Sequence, residues 1–390
     1  MTAPVHSQAQ ELRRVIGLAG GIALIVGITI GSGIFRTPPT IATLVPNPLV
    51  IMGLWTAFGL ISICGALAVA ELSTLLPRAG GTYVYLREAY GDAAAFVFGW
   101  LYVLVTTLVK VAALAAIILA AFLLGHGSVS HFGEGGSVRR SGLARAVASV
   151  IWTYDGWVAV SMIAGEVVAP ERLMKRIIII GMLVIVTLYI GANLAYLYIM
   201  PVGVMAHQKE AIARAVMTSI AGPAGGLIIM IAIMTSIFGA LNFNLLAKPR
   251  VAYAMARDGL IFSFLGKTDR RSSAPWAAVL IQSVVAVVMV LVLRDFDTLT
   301  TYFVVVEWAA LIFAVGAVVV LRRKMSEAPR PFRTPGYPLL PLLFVVGTVV
   351  GVSAIVWGQF QIGNFSPIYG LLIALAGFPF HQLWKRLKRA

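Results

Sequence analysis

The stretch GITIGSGIF, residues Gly27 to Phe35, decides how this chain is read. It lies in the apolar run 15–35, and a membrane span takes about 20 predominantly apolar residues. A spanning helix should be most regular near its middle, yet this one carries three glycines and a serine there. Gly27 and Gly31 form a GxxxG pair, which lets two helices approach closely; packing is the plain reading. Gly31, Ser32 and Gly33 in succession are denser in small residues than packing requires. Glycine weakens a helix, and irregular backbone at membrane depth is tolerated only where it is buried in protein or lines a polar cavity. The stretch therefore predicts an interrupted helix whose bare amides attract an anionic group such as a carboxylate.

The composition around it is that of an integral membrane protein. Of 390 residues, 60% are hydrophobic and 12% charged, with a mean hydropathy of +0.93; soluble domains carry about 25% charged residues. Ten candidate spans follow: 15–35, 49–70, 93–124, 146–167, 177–200, 224–247, 275–293, 299–321, 339–358 and 367–384. The polar N-terminus MTAPVHSQAQELRR lacks a signal-peptide pattern, so the first span is expected to be retained. With the N-terminus inside, inside segments hold 22 lysines and arginines and outside segments seven. That bias predicts both termini in the cytoplasm. The net charge of +15 then needs no nucleic acid; its partner is the anionic lipid headgroups of the cytoplasmic leaflet. Cys64 is the single cysteine, which excludes an intramolecular disulfide and reads as a packing residue.

Three further features offend a plain span. In IWTYDGWVAVSMIAGEV, Asp155 and Gly156 fall near the middle of 146–167, and a carboxylate at bilayer depth usually faces a cavity. A shorter span ending at Tyr154 fails, because 157–164 is apolar again; a second interrupted helix is expected. Lys110, in TTLVKVAALAAIILAAFLLG, has apolar sequence on both sides and cannot easily snorkel; it is either tied to a carbonyl for structure or held by an anion or carbonyl cage. Glu307, in TTYFVVVEWAALIFAVGAVV, reads equally as a gate, a structural carboxylate or a partner for another span. Two interrupted helices suggest two halves of inverted topology that share a midplane site. Amides at the first break would hold an anionic group and carbonyls at the second a cationic one, which together describe an α-amino acid.

At this point the residues resemble a known family. VGITIGSGIFRTPP is similar to the first span of the amino acid–polyamine–organocation transporters, most of all their amino acid permease branch with the L-type exchangers. Ala70-Glu71-Leu72, PRAGGTYVYLREAYG, FGW at 98–100, WTYDGW at 152–157 with GEVVAPER, RVAYAMARDGL at 250–260, EWAALIFAVGAVVVLRR and RPFRTPGYPLLP continue the pattern in order, from about Ile16 to Phe380. The resemblance implies an all-α integral membrane protein of the inverted-repeat, five-plus-five transporter fold. One transmembrane domain would fill 15–384 between a tail at 1–14 and a basic tail at 385–390. Its first repeat would be 15–124, its second 146–321, with two extra spans in 339–384. Backbone N–H groups of Gly31, Ser32, Gly33 and Ile34 would bind the substrate carboxylate, and backbone carbonyls of Trp152, Thr153 and Asp155 its ammonium. Lys110 would stand in for a sodium ion, with Thr235 and Ser236 as neighbours. Thr29, Tyr154, Thr235, Ser236 and Glu307 are candidate gate or support positions.

The departures matter as much. The family usually has twelve spans, and ten are counted here. The chain passes from third-span FGWLYVLV directly to fifth-span TTLVKVAALAAIILAAF, with the join between about Trp100 and Thr107. The first repeat is thus depleted of the end of its third span, its fourth and the start of its fifth. The fused run 93–124 would be roughly 48 Å long as a helix at about 1.5 Å per residue, longer than a hydrocarbon core of about 30 Å, so it must tilt, kink or protrude. Pro249 stands where relatives generally carry a small polar residue, and is expected to shorten the eighth span. The expected function is sodium-independent exchange or proton-coupled uptake of neutral amino acids at the plasma membrane by alternating access. The alternative is a non-transporting deletion remnant or an amino-acid-binding sensor. No cofactor or metal is expected, and whether a partner subunit supplies the lost helices stays open. A membrane-embedded enzyme is disfavoured: there is no HExxH and no GxSxG, and five scattered histidines with one cysteine make no metal or nucleophile set.

Overall fold

The glycine-rich stretch does interrupt its helix. The structure, a computed structural model, describes residues 16–30, 32–76, 82–92, 112–208, 210–268, 275–293 and 296–387. Helix α1 (Leu18–Thr29) ends at Ile30, whose backbone is extended (φ −76°, ψ 104°), and α2 (Ser32–Leu44) starts two residues on. The second expected interruption is also present. Helix α6 (Arg140–Tyr154) stops at an extended Asp155, and Gly156 turns the chain at φ 109°. That is a conformation only glycine adopts without strain. The chain continues as a 3₁₀ helix, Trp157–Glu166, not as the α-helix a regular span would show.

The other elements are mostly long apolar helices. They are α3 (Pro48–Leu75), α4 (Thr82–Tyr90), α5 (Ala112–Leu124), α7 (Pro170–Ile199), the short α8 (Val202–Ala206), α9 (Ile212–Ala247), α10 (Pro249–Arg257), α11 (Trp276–Leu293), α12 (Phe296–Lys324), α13 (Leu339–Phe360) and α14 (Ser366–Leu387). Local sequence sets several of their limits. Asn47 caps α3, its Oδ1 accepting from Val50 N at 3.1 Å, with Pro48 at the first helical position. Gly222 (φ 67°) and Pro223 kink α9. Pro249 separates α9 from α10, as expected of a residue that cannot continue the hydrogen-bond ladder. Among the described residues, Pro48–Leu75, Pro170–Ile199, Ile212–Met234, Thr301–Lys324 and Leu339–Phe360 are each long and apolar enough to cross a membrane. The predicted run 93–124 is described only from residue 112, as α5; its join and Lys110 lie outside the described residues.

The two interrupted helices pack on each other. Helix α2 lies along α6, and α1 along the 3₁₀ helix. They run antiparallel: Gly33, at the start of α2, meets Thr153 near the end of α6, while Leu44, at the end of α2, meets Gly142 near the start of α6. A β-carbon at Gly33 would lie 2.6 Å from Thr153 Oγ1, so only glycine allows this approach. Ile16 and Val167 close the far end through one β-bridge, in which Val168 N donates to Ile16 O at 2.9 Å. Helices α3 and α7 pack behind the pair, and α13 packs against α3, α6 and α12. The fully buried Trp55, Tyr154 and Tyr189 fill the space behind the breaks.

One buried ion cluster ties this bundle at the end where α3 and α12 finish. Glu71, 1% exposed, receives Arg322 in a two-pronged contact of 2.9 and 2.8 Å and the backbone N–H of Thr334 at 2.6 Å. Arg322 also stacks on Tyr337 at 3.7 Å. The Ala70-Glu71-Leu72 and RPFRTPGYPLLP segments are therefore two halves of one contact. A carboxylate this deep is tolerable only because a planar guanidinium and an amide saturate it.

Candidate functional site

The site is assembled from backbone at two helix breaks. At the first, α1 ends in carbonyls that its own helix cannot satisfy, and α2 begins with the free amides of Ser32, Gly33 and Ile34. These are the amides predicted to hold a carboxylate. Gly33 and Ile34 are buried, whereas Gly31 and the Ser32 side chain lie outside the described residues. At the second, α6 ends in the carbonyls of Trp152 and Thr153. Two hydroxyls link the breaks: Thr37 Oγ1 donates to Gly33 O at 2.9 Å and lies 3.2 Å from Thr153 Oγ1, which itself donates to Ser149 O at 2.8 Å. An anion-seeking helix start and a cation-seeking helix end thus lie side by side.

A third element joins them. Tyr189, on α7, places its hydroxyl 2.7 Å from the Thr29 carbonyl and 2.8 Å from that of Thr153. A hydroxyl has one proton to donate, so it serves the two acceptors between them and leaves acceptor capacity on both. Its ring packs at a tilt against Tyr154 (centroids 5.0 Å apart) and edge-on against Trp55 (5.8 Å), and Tyr154 Oη donates to Trp55 O at 3.1 Å. Tyr154 thus packs behind the break. Thr29 Oγ1 donates to Ile25 O within α1, leaving its carbonyl for Tyr189. Trp152 O takes the Asp155 amide at 3.2 Å, and the Trp152 indole packs edge-on against Phe303 at 5.3 Å. Thr235 and Ser236 lie on α9, but their side chains are outside those described.

The structure places Glu307 in a charge group that crosses three elements. Lys248, 4% exposed at the α9–α10 junction, interacts electrostatically with Glu307 of α12 and with Asp155 at the second break. Its Nζ lies 5.4 Å from the centroid of Phe303. Lys248 and Arg250, which the charge count places among the inside cations, are both buried, at 4% and 5% exposure.

Sequence reasoning missed Tyr189 and Lys248. Tyr189 sits in a continuous apolar run, where a lone phenol reads as ordinary core. The available signal was its spacing from Asn193, i and i+4 on one face, whose Nδ2 donates to Tyr189 O at 2.8 Å. Lys248 was hidden by Pro249 beside it, which made the segment read as loop.

A sequence profile described as amino acid permease matches residues 16–108 and 104–378. The chain belongs to the amino acid permease family. That is a family of permeases, not of enzymes, and this chain is a multi-pass, all-α membrane protein. The match comes in two pieces whose seam, 104–108, falls at the join inferred from the sequence. Three relatives illustrate the likeness. The serine/threonine exchanger SteT of Bacillus subtilis (strain 168) is 27% identical over 445 aligned positions, covering 98% of this chain and 100% of the relative. The human b(0,+)-type amino acid transporter 1 is 25% identical, covering 98% and 91%. The human cystine/glutamate transporter is 24% identical, covering 98% and 87%. An alignment of 445 positions onto a 390-residue chain leaves several dozen positions of the relative without a counterpart.

Proposed function

We propose that this permease moves α-amino acids across the plasma membrane by alternating access, with the substrate held between the two chain breaks. The amides of Gly31, Ser32, Gly33 and Ile34 receive the carboxylate, and the carbonyls of Trp152, Thr153 and Asp155 receive the ammonium. The observation that carries this reading is the juxtaposition of the α2 start and the α6 end, bridged by Thr37, Thr153 and Tyr189. Backbone amides and carbonyls recognise what every α-amino acid shares. This suits a family whose relatives are named for substrates as unlike as serine, cystine and glutamate.

Neutral amino acids are the expected substrates in this reading. Transport is sodium-independent in this reading, with Lys110 in the place of the ion, and is coupled either to exchange or to protons. Both termini lie in the cytoplasm, where the basic tail 385–390 meets anionic headgroups. Helices α1–α2 and α6 with its 3₁₀ continuation are the moving pair, and α3, α7 and α13 are part of what they move against.

The test is uptake of a labelled amino acid panel into proteoliposomes, run beside a chain in which a family-like third-to-fifth segment is restored at the 104–108 seam. Saturable uptake of neutral amino acids by the chain as it stands is the expected result. Stimulation by internal amino acid indicates exchange, and sensitivity to a protonophore indicates proton coupling. Uptake by the restored chain alone would overturn the proposal and identify a remnant; binding retained without flux would identify a sensor.

A further inference from the structure

A pocket of about 50 Å³ lies away from the breaks, at the opposite end of the bundle from the Glu71–Arg322 cluster. It is lined by Thr40 and Leu44 of α2, Arg145, Ala148 and Ser149 of α6, Thr301 of α12 and Gln359 of α13, half polar and half apolar. Two of these elements are the interrupted helices themselves. Arg145 precedes Thr153 by eight residues, about 12 Å along α6 at about 1.5 Å per residue. The pocket thus stands over the same α2–α6 seam that leads down to the breaks.

Its chemistry is one-sided. Arg145 is the only charged residue in the lining, and no carboxylate faces it there. Among the described residues Arg145 has no hydrogen-bond or ion-pair partner. Its stem is held nonetheless: Gly358 of α13 leaves the room it occupies, since a β-carbon there would lie 3.2 Å from Arg145 Cγ. The polar neighbours are oriented too. Gln359 Oε1 accepts from Asn364 Nδ2 at 3.0 Å, and its Nε2 points to Thr301 Oγ1 at 3.4 Å. A guanidinium with a packed stem, ringed by hydroxyls and an amide and lacking a protein anion, is arranged to receive a planar anionic group. A water needs about 10–15 Å³ of such space, so the pocket has room for a carboxylate.

We propose that this pocket is an anion subsite in which Arg145 captures the carboxylate of an amino acid before it reaches the chain breaks. This rests on the transport reading above. A phosphate headgroup offers the same anionic chemistry, and the test separates the two sources.

The experiment measures uptake of labelled L-serine and L-leucine by the parent chain, Arg145→Lys and Arg145→Met. It is run in phosphatidylcholine vesicles with and without phosphatidylglycerol, and direct binding is measured in detergent. The expected result is that Arg145→Met raises half-saturation about tenfold, the size of losing one hydrogen bond to a charged group. Maximal rate stays within about twofold, Arg145→Lys recovers part of the loss, and the effect is the same in both lipids. Unchanged half-saturation in Arg145→Met overturns the subsite while leaving the transport reading intact. A lost maximal rate that Arg145→Lys does not restore makes Arg145 structural. A parent chain whose uptake depends on phosphatidylglycerol, with that dependence lost in Arg145→Met, assigns the pocket to lipid instead. A parent chain that neither transports nor binds either amino acid overturns the transport reading first, and the subsite with it.

Discussion

Tyr189 reaches from α7 to the Thr153 carbonyl at 2.8 Å, and the same hydroxyl lies 2.7 Å from the Thr29 carbonyl. One phenol therefore senses both helix ends that would part or close in a transport cycle. Tyr189→Phe keeps the ring packing against Trp55 and Tyr154 and removes only the donor. Leaving a buried acceptor without its donor costs about 1–3 kcal/mol. The expected outcome is a lower melting temperature in detergent with expression retained, and a changed half-saturation for uptake. A variant equal to the parent in both would show that the bridge carries no energy.

Gly33 is a point of close approach between the two broken helices. A β-carbon there would lie 2.6 Å from Thr153 Oγ1 and 3.1 Å from its Cα. Gly33→Ala must push α2 and α6 apart, and overpacking of this kind costs about 1–3 kcal/mol. Uptake should fall at least tenfold (~1.4 kcal/mol), measured at equal amounts of folded protein. Gly31→Leu should abolish amino acid binding for a different reason: its side chain would fill the proposed carboxylate position.

Glu71 anchors the opposite end of the bundle. Glu71→Gln removes the charge that faces Arg322 and Arg330, 3.6 Å away at its Nε, and breaking one side of a buried pair costs about 3–5 kcal/mol. Loss of a monodisperse size-exclusion peak is expected. Replacing Glu71 and Arg322 together by methionine should recover part of it, because only Arg330, which also donates to the Leu321 and Met325 carbonyls, then keeps its charge.

Lys248 is the cation that interacts with both Asp155 and Glu307. Lys248→Met removes it and leaves the two carboxylates without that positive charge. Stability in detergent should drop, and Glu307→Gln added to Lys248→Met should recover part of the loss. A double variant no better than the single one would show that the two residues are not coupled.

Replacing sodium by choline should leave uptake unchanged, because a lysine at position 110 supplies a fixed positive charge. A rate that follows external sodium would remove Lys110 from that role.

Both interruptions were legible in the sequence, because a helix cannot hide glycine beside serine or Asp-Gly at bilayer depth. Membrane class, the presence of two broken spans and a join between about Trp100 and Thr107 were likewise read from composition and order of motifs. Apolar length and backbone freedom are local properties. What the tertiary structure alone decided is which side chains meet across the bundle. Tyr189 bridges the breaks from a helix that reads as featureless, Lys248 turns out to be buried and to interact with Asp155 and Glu307, Glu71 meets Arg322 across 251 residues, and Arg145 is left lining a pocket. These contacts depend on helix rotation and on room left by single glycines such as Gly33 and Gly358, and a one-dimensional pattern of apolar and polar residues does not specify either.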